Sequence, residues 1–321
     1  MKAARWVGVG RVECEEVPVP AAGDGEILIR TVCTSICGSD LHSVFGAAPP
    51  QPGPAGFPGH ESVGEVVESR CPGFGPGDRV LAVPHFADAR GMAEFQALPG
   101  SACIRLPAGP QLSHLLMAQQ LGTVAFALRR YPLDLIGTDA AVIGQGSAGA
   151  FFTFLLKRAG AARVLVSDRS PARLAYSRQL GADLAVESGT DGFGPAVLAA
   201  TGGRGAGLVV EAVGSREAFA QSLEVAAPGA TVVWFGLPED AGGYPFSFSG
   251  FFRRKLTAYS IYDAQGEPGL GSFRYAVRLI ADGAIDVAPL LSHMLPIEQV
   301  GDAFRIAHDR TGDALKVSVR F

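Results

Sequence analysis

The segment from residue 139 to 234 constrains the fold most strongly, because short runs of strand character alternate there with helical ones. The strand-like runs are rich in valine or isoleucine and read "AAVIG", "RVLVSD", "GLVVEAVG" and "GATVVWFG". The helical runs between them read "AGAFFTFLLKRAG", "SPARLAYSRQLG" and "REAFAQSLEVAA". Repeated βα units of this length predict an α/β fold with a parallel, doubly wound sheet.

The flanking segments have a different character. Up to about residue 110, Gly and Pro separate short apolar runs such as "EILIRTVCT" and "DRVLAVP", which predicts a β-rich domain. The run "SHLLMAQQLGTVAFALRR" (113–130) predicts one helix that leads into the βα segment. Near the end, two helical runs precede a closing strand, "ALKVSVRF". We therefore predict one domain from 121 to 263, and a second from 1 to 120 together with 264 to 321.

Composition excludes several classes of function. The chain has 321 residues, 48% of them hydrophobic, and a formal net charge of −4 without a long basic run, so we expect neither a nucleic-acid nor a membrane partner. The first residues lack the apolar core of a signal peptide, and no run of about 20 apolar residues is present. Five scattered cysteines argue against a disulfide framework. We expect a cytoplasmic protein.

The glycines of "VIGQGSAG" predict a nucleotide-binding loop. Gly144, Gly146 and Gly149 have the spacing G-x-G-x-x-G, directly after a predicted strand and at the start of a predicted helix. In this context glycine permits a tight turn and a close approach of the backbone to a pyrophosphate at the helix N-terminus. The alternative is an ordinary turn between strand and helix. We predict that residues 121–263 form a Rossmann domain.

The end of the next strand bears on the choice of dinucleotide. Asp168 lies nineteen positions after Gly149, where a carboxylate accepts hydrogen bonds from ribose hydroxyls and repels a 2′-phosphate, so NAD is favoured over NADP. Arg169 follows Asp168 directly in the sequence, and its positive charge is the group that would bind the 2′-phosphate of NADP. We expect Arg173, on the following helix, to lie near the adenosine. The alternative for both arginines is a solvated charge at the start of a helix.

Metal-binding and proton-carrying groups are concentrated in "CTSICGSDLH" (33–42) and "GHES" (59–62). Together with other motifs, these stretches resemble the zinc-dependent medium-chain dehydrogenases, particularly the sorbitol and polyol dehydrogenase branch. The resemblance extends over essentially the whole chain and is carried by "ICGSDLH", "PGHESVGEV", "PGDRV", "VIGQGSAG", "SDRSPARLAYSRQLGAD", "VVEAVGS" and "GDALKVSVRF". It implies that the β-rich domain (1–120 and 264–321) is a GroES-like catalytic domain beside an NAD-binding Rossmann domain.

The resemblance also implies roles for individual residues. The expected ligands of one catalytic zinc ion are Cys37, His60 and Glu61, and the zinc would polarise an alcohol oxygen. Ser39 and His42 match the proton relay of the family, and histidine suits this role because its pKa lies near neutrality. Asp40 would accept the other ring N–H of His60. The alternative is that Ser39 and Asp40 cap a helix. Cys33 is expected to be a core residue.

The sequence departs from the family in two places. The region "GDRVLAVPHFADARGMAEFQALP" lacks the four cysteines that bind a structural zinc in many relatives, so we expect no structural zinc. At the remaining ligand position, where the family has Cys or Glu, this chain has Gln119, whose neutral amide is a weaker zinc ligand. We expect Lys316 to reach the cofactor phosphates. Candidate apolar walls of the substrate pocket are Phe45, Phe57, Phe86, Phe95 and Phe126.

These expectations combine into an NAD-dependent, zinc-assisted dehydrogenase that interconverts a secondary alcohol or polyol and its ketone. We expect a small-molecule substrate and a homodimer or homotetramer. Two alternatives remain open at this point. One is a zinc-free enoyl or quinone reductase that uses NADPH, and the other is a catalytically silent nucleotide-binding regulatory protein.

Overall fold

The chain forms two compact units in a computed structural model that describes residues 1–46, 53–188, 192–239 and 242–321. The first unit contains Met1–Thr123 and Asp263–Phe321, and the second contains Val124–Tyr262. The first is built mainly from β-strands, and the second alternates strands with helices. Within the described residues, no helix combines the length and the apolar character that crossing a membrane requires.

The elements of the first segment are short strands with few helices. In chain order they are β1 (Lys2–Gly8), β2 (Arg11–Glu16), β3 (Glu26–Ser35), α1 (Gly38–Phe45), β4 (Glu61–Ser69), β5 (Arg79–Ala82), β6 (Phe95–Pro99), β7 (Cys103–Arg105), α2 (Leu112–Leu116) and α3 (Ala118–Arg130). The single helix predicted over 113–130 is therefore divided at Met117 into α2 and α3.

The second unit alternates strands and helices, as the periodicity of the sequence predicts. Its elements are β8 (Asp139–Ile143), α4 (Ser147–Arg158), β9 (Arg163–Asp168), α5 (Pro171–Gln179), β10 (Leu184–Glu187), α6 (Phe193–Ala200), β11 (Ala206–Glu211), α7 (Arg216–Glu224), β12 (Ala226–Trp234), α8 (Phe248–Arg253) and β13 (Thr257–Ser260). The strand order is β10-β9-β8-β11-β12-β13, with every neighbouring pair parallel. Such a sheet is doubly wound, and its core consists mainly of inward-facing aliphatic residues.

The last segment returns to the sheet of the first unit. It contains α9 (Gly271–Ala281), β14 (Leu291–Pro296), α10 (Val300–Asp309) and β15 (Lys316–Arg320). The sheet has the order β14-β15-β3-β4-β5-β7, and β6 pairs with β3. Trp6 and Phe304 belong to one apolar cluster of this unit, and Ile27 and Leu98 belong to another.

Strand register brings three distant stretches of sequence together at one end of this sheet. In the antiparallel pair β3–β4, Ser35 is opposite Glu61, so the residues just after β3 and just before β4 are neighbours. In the antiparallel pair β15–β3, Ser318 is opposite Ser35, which places the start of β15 at the same end. Cys37, His60 and Lys316 are therefore brought close by pairing across the sheet.

Candidate active site

Cys37, His60 and Glu61 form a compact cluster of metal-ligating atoms. One ligand atom from each residue, a thiol sulfur, an imidazole nitrogen and a carboxylate oxygen, lies within 4.8 Å of the other two. His60 and Glu61 are buried, and Cys37 is half-buried at the start of α1. Sulfur, nitrogen and oxygen donors at this spacing are those that zinc prefers in catalytic sites.

Asp40 connects the helix start to the cluster. Its Oδ2 accepts a hydrogen bond from the backbone N–H of Cys37 at 2.8 Å, and its Oδ1 lies 3.2 Å from Nδ1 of His60. Cys37 is the N-cap of α1, so the alternative that Ser39 and Asp40 cap the helix is wrong for Ser39, whereas Asp40 does contribute to the cap. The contact at Nδ1 orients the ring and leaves its Nε2 for a ligand.

The ionisation of His60 depends on its neighbours. Burial alone lowers the pKa of His60, but Asp40 and Cys37 outweigh burial and raise the pKa well above its ordinary value. A metal ligand must be the neutral imidazole, so a metal that binds here displaces a proton. Metal affinity should therefore weaken as the pH falls.

Glu61 pairs with a buried lysine. Its Oε2 lies 2.6 Å from Nζ of Lys316 and also accepts a hydrogen bond from the hydroxyl of Ser35. Burial, which alone would raise the pKa of Glu61, is outweighed by Lys316, His60 and Ser35, so the pKa is lowered. The other oxygen, Oε1, is buried and has no hydrogen-bond partner among the described residues.

The position of Lys316 differs from the sequence prediction. Its side chain is only 2% exposed and its ammonium group lies against Glu61, so the expectation that Lys316 reaches cofactor phosphates is not supported. Burial lowers the pKa of Lys316, but Glu61, Cys37 and Asp40 together raise it by more. The net result is a raised pKa. Lys316 remains a cation that compensates the acidic cluster.

The charge of this cluster suits a divalent cation. With Cys37 as thiolate and His60 neutral, three negative groups (Cys37, Asp40 and Glu61) face one positive group, Lys316. Two negative charges are left over in a largely buried space, which is unfavourable unless a cation neutralises them. The unpartnered Oε1 of Glu61 offers one further ligand atom, so the residues present fit a zinc ion.

The other residues predicted for this site lie in the same unit. Gln119, in the first turn of α3, is 2% exposed, and its amide nitrogen has no hydrogen-bond partner among the described residues. Ser39 and His42 both lie on α1, and the His42 side chain is accessible to solvent. Partial desolvation lowers the pKa of His42 below its ordinary value. Burial raises the pKa of Cys33 to about 12, so this thiol is a core residue.

Two of the predicted pocket phenylalanines lie beside the cluster. The ring of Phe86 is 5.3 Å from that of His60 in an edge-on contact, and the ring of Phe57 is 5.4 Å from that of Phe86. Phe45 instead stacks on His308 at 3.9 Å. An apolar wall on one side of His60 limits access of water to the ligand atoms.

In the second unit, the loop between β8 and α4 has the geometry that its glycines predict. Gly144 has φ +88°, and a Cβ at Gly149 would lie 1.8 Å from the carbonyl oxygen of Gly144, so neither position accepts a side chain without distortion. Gly146 is the N-cap of α4, and no atom lies within 4 Å of where its Cβ would be. That free space, at a helix N-terminus, suits a phosphate group.

Asp168 lies next to this loop at the end of β9. Its Oδ2 accepts a hydrogen bond from the backbone N–H of Gln145 at 2.7 Å, and its Oδ1 accepts one from that of Ser170 at 2.9 Å. Arg173 Nη1 lies 3.9 Å from Oδ2. The predicted acidic group therefore lies at the glycine loop, with Arg173 beside it.

Sequence reasoning missed Ser35 and Gln145, which shape these sites, and it gave Lys316 a different role. Ser35 and Lys316 hold Glu61. Gln145 is buried between two loop glycines, and its Oε1 accepts hydrogen bonds from the hydroxyls of Thr153 and Ser177, on α4 and α5. The sequence around Gln145 does not indicate this role, because its hydrogen-bond partners lie on two different helices.

The two units together define a class of protein. One has a parallel sheet with a glycine loop of the dinucleotide-binding type, and the other has a cluster of Cys, His and Glu that fits zinc. These are features of a metal-assisted, nucleotide-dependent oxidoreductase.

Comparison with known proteins gives the family. The family model for "Alcohol dehydrogenase GroES-like domain" matches residues 23–112, and the one for "Zinc-binding dehydrogenase" matches residues 149–282. The chain belongs to the zinc-dependent medium-chain dehydrogenases. It is therefore an oxidoreductase of the zinc-dependent alcohol dehydrogenase type, with a GroES-like domain and a Rossmann-type sheet.

Similar proteins cover the chain along most or all of its length. An alcohol dehydrogenase of Cupriavidus necator is 27% identical over 100% of this chain and 98% of its own length. An L-threonine 3-dehydrogenase of Bacillus velezensis is 28% identical over 94% of this chain and 93% of its own. The structure of an alcohol dehydrogenase from Thermus sp. ATN1 superposes with a TM-score of 0.86 at 27% identity, covering 100% of this chain and 99% of that one.

Proposed function

We propose that the chain is an NAD-dependent dehydrogenase that interconverts a secondary alcohol or polyol and its ketone, with one catalytic zinc ion per chain. The observation that carries the proposal is the cluster of Cys37, His60 and Glu61, whose donors and excess negative charge fit zinc. When bound, zinc supplies Lewis acidity that favours loss of the alcohol proton, and NAD accepts the hydride.

Each residue of the cluster has a separate task in this proposal. Cys37, His60 and Glu61 hold the metal, and Asp40 fixes the ring orientation of His60. Lys316 keeps Glu61 ionised and offsets part of the negative charge. We assign Gln119 as the remaining protein donor. Its neutral amide binds zinc more weakly than a thiolate or carboxylate, so the metal should exchange more readily than in a Cys₂His site.

The released proton is assigned to Ser39 and His42. They are three positions apart on α1 and so share one face of the helix, with His42 at the surface. A hydroxyl that passes a proton to an imidazole at the surface avoids leaving a charge inside the site.

Replacing His42 with alanine should lower kcat by about tenfold or less, below the roughly hundredfold effect of a buried general base, because water reaches a surface position. Zinc content should be unchanged. Since the pKa of His42 lies below its ordinary value, the ionisation that disappears from the kcat profile should lie on the acid side of a normal histidine. Steady-state rates across pH and elemental zinc analysis check both points.

His293→Ala is the matched control for this experiment. His293 belongs to the same unit, and its ring contacts only the neighbouring Ser292 among the described hydrogen bonds. The control should leave the pH profile unchanged. Loss of zinc from His42→Ala would show that His42 is a metal ligand and would contradict the relay.

The cofactor assignment rests on the glycine loop and Asp168. Gly146 leaves room for a pyrophosphate at the N-terminus of α4, and Asp168 presents its carboxylate beside the same loop. Gly144 and Gly149 permit the turn, and Arg173 lies near enough to Asp168 to contact the adenosine side. A 2′-phosphate would be placed against a carboxylate, which disfavours NADP.

We expect NAD to be used at least about tenfold better than NADP in kcat/KM, since repulsion of a phosphate by Asp168 should cost about 1.4 kcal/mol or more. Asp168→Ser should recover part of the NADP activity, with Arg169 available to the phosphate. Asp168→Asn keeps a hydrogen-bond acceptor and removes only the charge, so it isolates the electrostatic part. Equal use of both cofactors by the wild-type enzyme would contradict the assignment.

The substrate class is tested with a panel of alcohols on the zinc-loaded protein. A simple secondary alcohol, a vicinal diol, a longer polyol and L-threonine are compared by the absorbance of reduced nicotinamide, with NAD and NADP supplied separately. Activity with at least one secondary alcohol supports the proposal. Reduction of enones or quinones with NADPH, and no alcohol oxidation, would favour a zinc-free reductase.

We also propose that the chain assembles as a homodimer or a homotetramer. Strand β13 is at one edge of its sheet, and Phe248 and Phe252 of the nearby α8 are 67% and 71% exposed. Unpaired strand edges and exposed aromatic side chains both favour self-association. Sedimentation velocity measures the mass, and a monomer at micromolar concentration would contradict this proposal.

A further inference from the structure

The side chain of Gln145 is buried inside the glycine loop and forms three hydrogen bonds. It is 1% exposed. Its Oε1 accepts from the hydroxyls of Thr153 at 2.9 Å and Ser177 at 2.7 Å, and its Nε2 donates to the carbonyl oxygen of Gly144 at 3.0 Å. A buried amide with partners on both its oxygen and its nitrogen keeps one orientation, because rotation would leave polar groups unpaired.

Both hydroxyls also have acceptors in their own helices. The hydroxyl of Thr153 on α4 lies 3.0 Å from the carbonyl oxygen of Gly149, and that of Ser177 on α5 lies 2.8 Å from the carbonyl oxygen of Arg173. Each hydroxyl shares its single proton between that carbonyl and Gln145. Removing the amide therefore leaves neither hydroxyl without an acceptor, and we expect a variant of Gln145 to fold.

The contact with Gly144 fixes one peptide group at both ends. The carbonyl of Gly144 and the N–H of Gln145 belong to the same peptide group. The carbonyl is held by Nε2 of Gln145, and the N–H donates to Oδ2 of Asp168 at 2.7 Å. Gly144 has φ +88° and no Cβ, so sterics restrict the orientation of this peptide group only weakly. The amide of Gln145 supplies the restraint that the glycine lacks.

The carboxylate of Asp168 depends on this peptide group. It is 8% exposed, and its second hydrogen bond comes from the backbone N–H of Ser170 at 2.9 Å. The C=O and N–H of a trans peptide point in opposite directions, so rotation of the Gly144–Gln145 peptide would remove the N–H and turn a carbonyl oxygen towards Asp168. An oxygen that faces a carboxylate repels it. The orientation of Asp168 is therefore coupled to the side chain of Gln145.

We propose that Gln145 is a positioning residue that sets the preference for NAD over NADP, by holding the Gly144–Gln145 peptide against Asp168. The inference rests on the proposed function, in which Asp168 accepts hydrogen bonds from ribose hydroxyls and repels a 2′-phosphate. A glutamine that only connects the loop to α4 and α5 would behave differently, because its loss would weaken the binding of both dinucleotides equally. The ratio of the two affinities separates positioning from a structural role.

Gln145→Met is the test variant, because methionine has a similar length and no amide. The dissociation constants of NADH and NADPH are measured by nicotinamide fluorescence without substrate. We expect the affinity for NADH to fall about fivefold, which is the effect of about one hydrogen bond, and the affinity for NADPH to change less than about twofold. In turnover, KM for NAD should rise while kcat stays nearly constant, since an interaction lost equally from the ground state and the transition state alters KM alone.

Further variants identify the route of the effect. In an Asp168→Asn background, Gln145→Met should leave the affinity ratio nearly unchanged, because the charge through which Gln145 acts is gone. Thr153→Val removes one partner of Oε1 and keeps the Nε2 contact, so it should alter the ratio by less than about twofold. Gln179→Met is the matched control, because it makes the same substitution at an exposed position of α5, and it should leave both affinities unchanged.

Three results would overturn the proposal. They are equal weakening of NADH and NADPH binding in Gln145→Met, unchanged NADH affinity in that variant, and additive effects in the Asp168→Asn background. Equal affinity of the wild-type protein for NADH and NADPH would instead contradict the NAD assignment on which the proposal rests, so the wild type alone distinguishes the two failures.

Circular dichroism shows whether each variant is folded. If Gln145→Met does not fold, the double variant Thr153→Val/Ser177→Ala decides the question. It releases the oxygen end of the amide and should lower the preference for NADH by about threefold. An unchanged preference in that protein would exclude a positioning role.

Discussion

Replacing Lys316 with methionine should destabilise the first unit of the metal-free protein by about 3 kcal/mol or more, because the buried carboxylate of Glu61 loses its cation. Urea unfolding followed by Trp6 fluorescence in a Trp234→Phe background reports on this unit. The double variant Lys316→Met/Glu61→Gln should recover most of the loss, because no unpaired charge then remains. Zinc should also restore part of the stability of Lys316→Met, since the metal provides Glu61 with a partner.

The pH dependence follows from the two pKa shifts. The pKa of Glu61 is lowered and that of Lys316 is raised, so the stabilisation is complete between the two ordinary pKa values. It is lost as the pH falls through the lowered pKa of Glu61 or rises through the raised pKa of Lys316. Lys2→Met, which breaks an exposed pair with Glu298, is the control and should leave the unfolding midpoint nearly unchanged. Equal midpoints for Lys316→Met and the wild type would contradict the buried pair.

Replacing Cys37 with alanine should remove the tightly held zinc and reduce dehydrogenase activity by about a thousandfold or more, since a Lewis acid contributes several kcal/mol to such reactions. Cys37 is the only thiol of the described ligand cluster, and Glu61 and His60 alone provide a weaker site. The chain should remain folded, because the core of a domain this large does not depend on a metal ion. Elemental analysis and kcat/KM measure the two effects.

Cys33→Ala is the matched control for this experiment. Cys33 is four residues earlier, is buried on β3, and is kept as a thiol by burial, which raises its pKa to about 12. Its variant should retain zinc and most of the activity at a modest cost in stability. If Cys33→Ala also lost zinc, or Cys37→Ala retained it, the ligand assignment would be wrong.

The features that local sequence determines were predicted well. The strand, glycine loop and helix around Gly144, Gly146 and Gly149 are consecutive in sequence, so apolar periodicity and glycine spacing define them. The βα alternation likewise predicts the parallel sheet. The break at Met117 was missed because apolar residues keep their helical spacing across the boundary between α2 and α3.

The features that depend on strand pairing could not be predicted in this way. Lys316 in "ALKVSVRF" looks like an outward-facing position of an alternating strand, and only the register of β15 on β3 places it at Glu61. Ser35 ends β3 within a run of buried residues, and its contact with Glu61 depends on the pairing of β3 with β4. The alternative that Ser39 and Asp40 cap α1 holds only for Asp40, because the helix begins earlier than that alternative requires and Cys37 is the N-cap.

The most direct test of the central claim is the zinc content of the purified chain, measured by elemental analysis beside alcohol oxidation before and after chelation. The account predicts one tightly held zinc ion per chain, loss of activity on chelation without unfolding, and recovery when zinc is returned. Full alcohol dehydrogenase activity in protein that contains no zinc would contradict the mechanism. Two tightly held zinc ions per chain would contradict the single-site account.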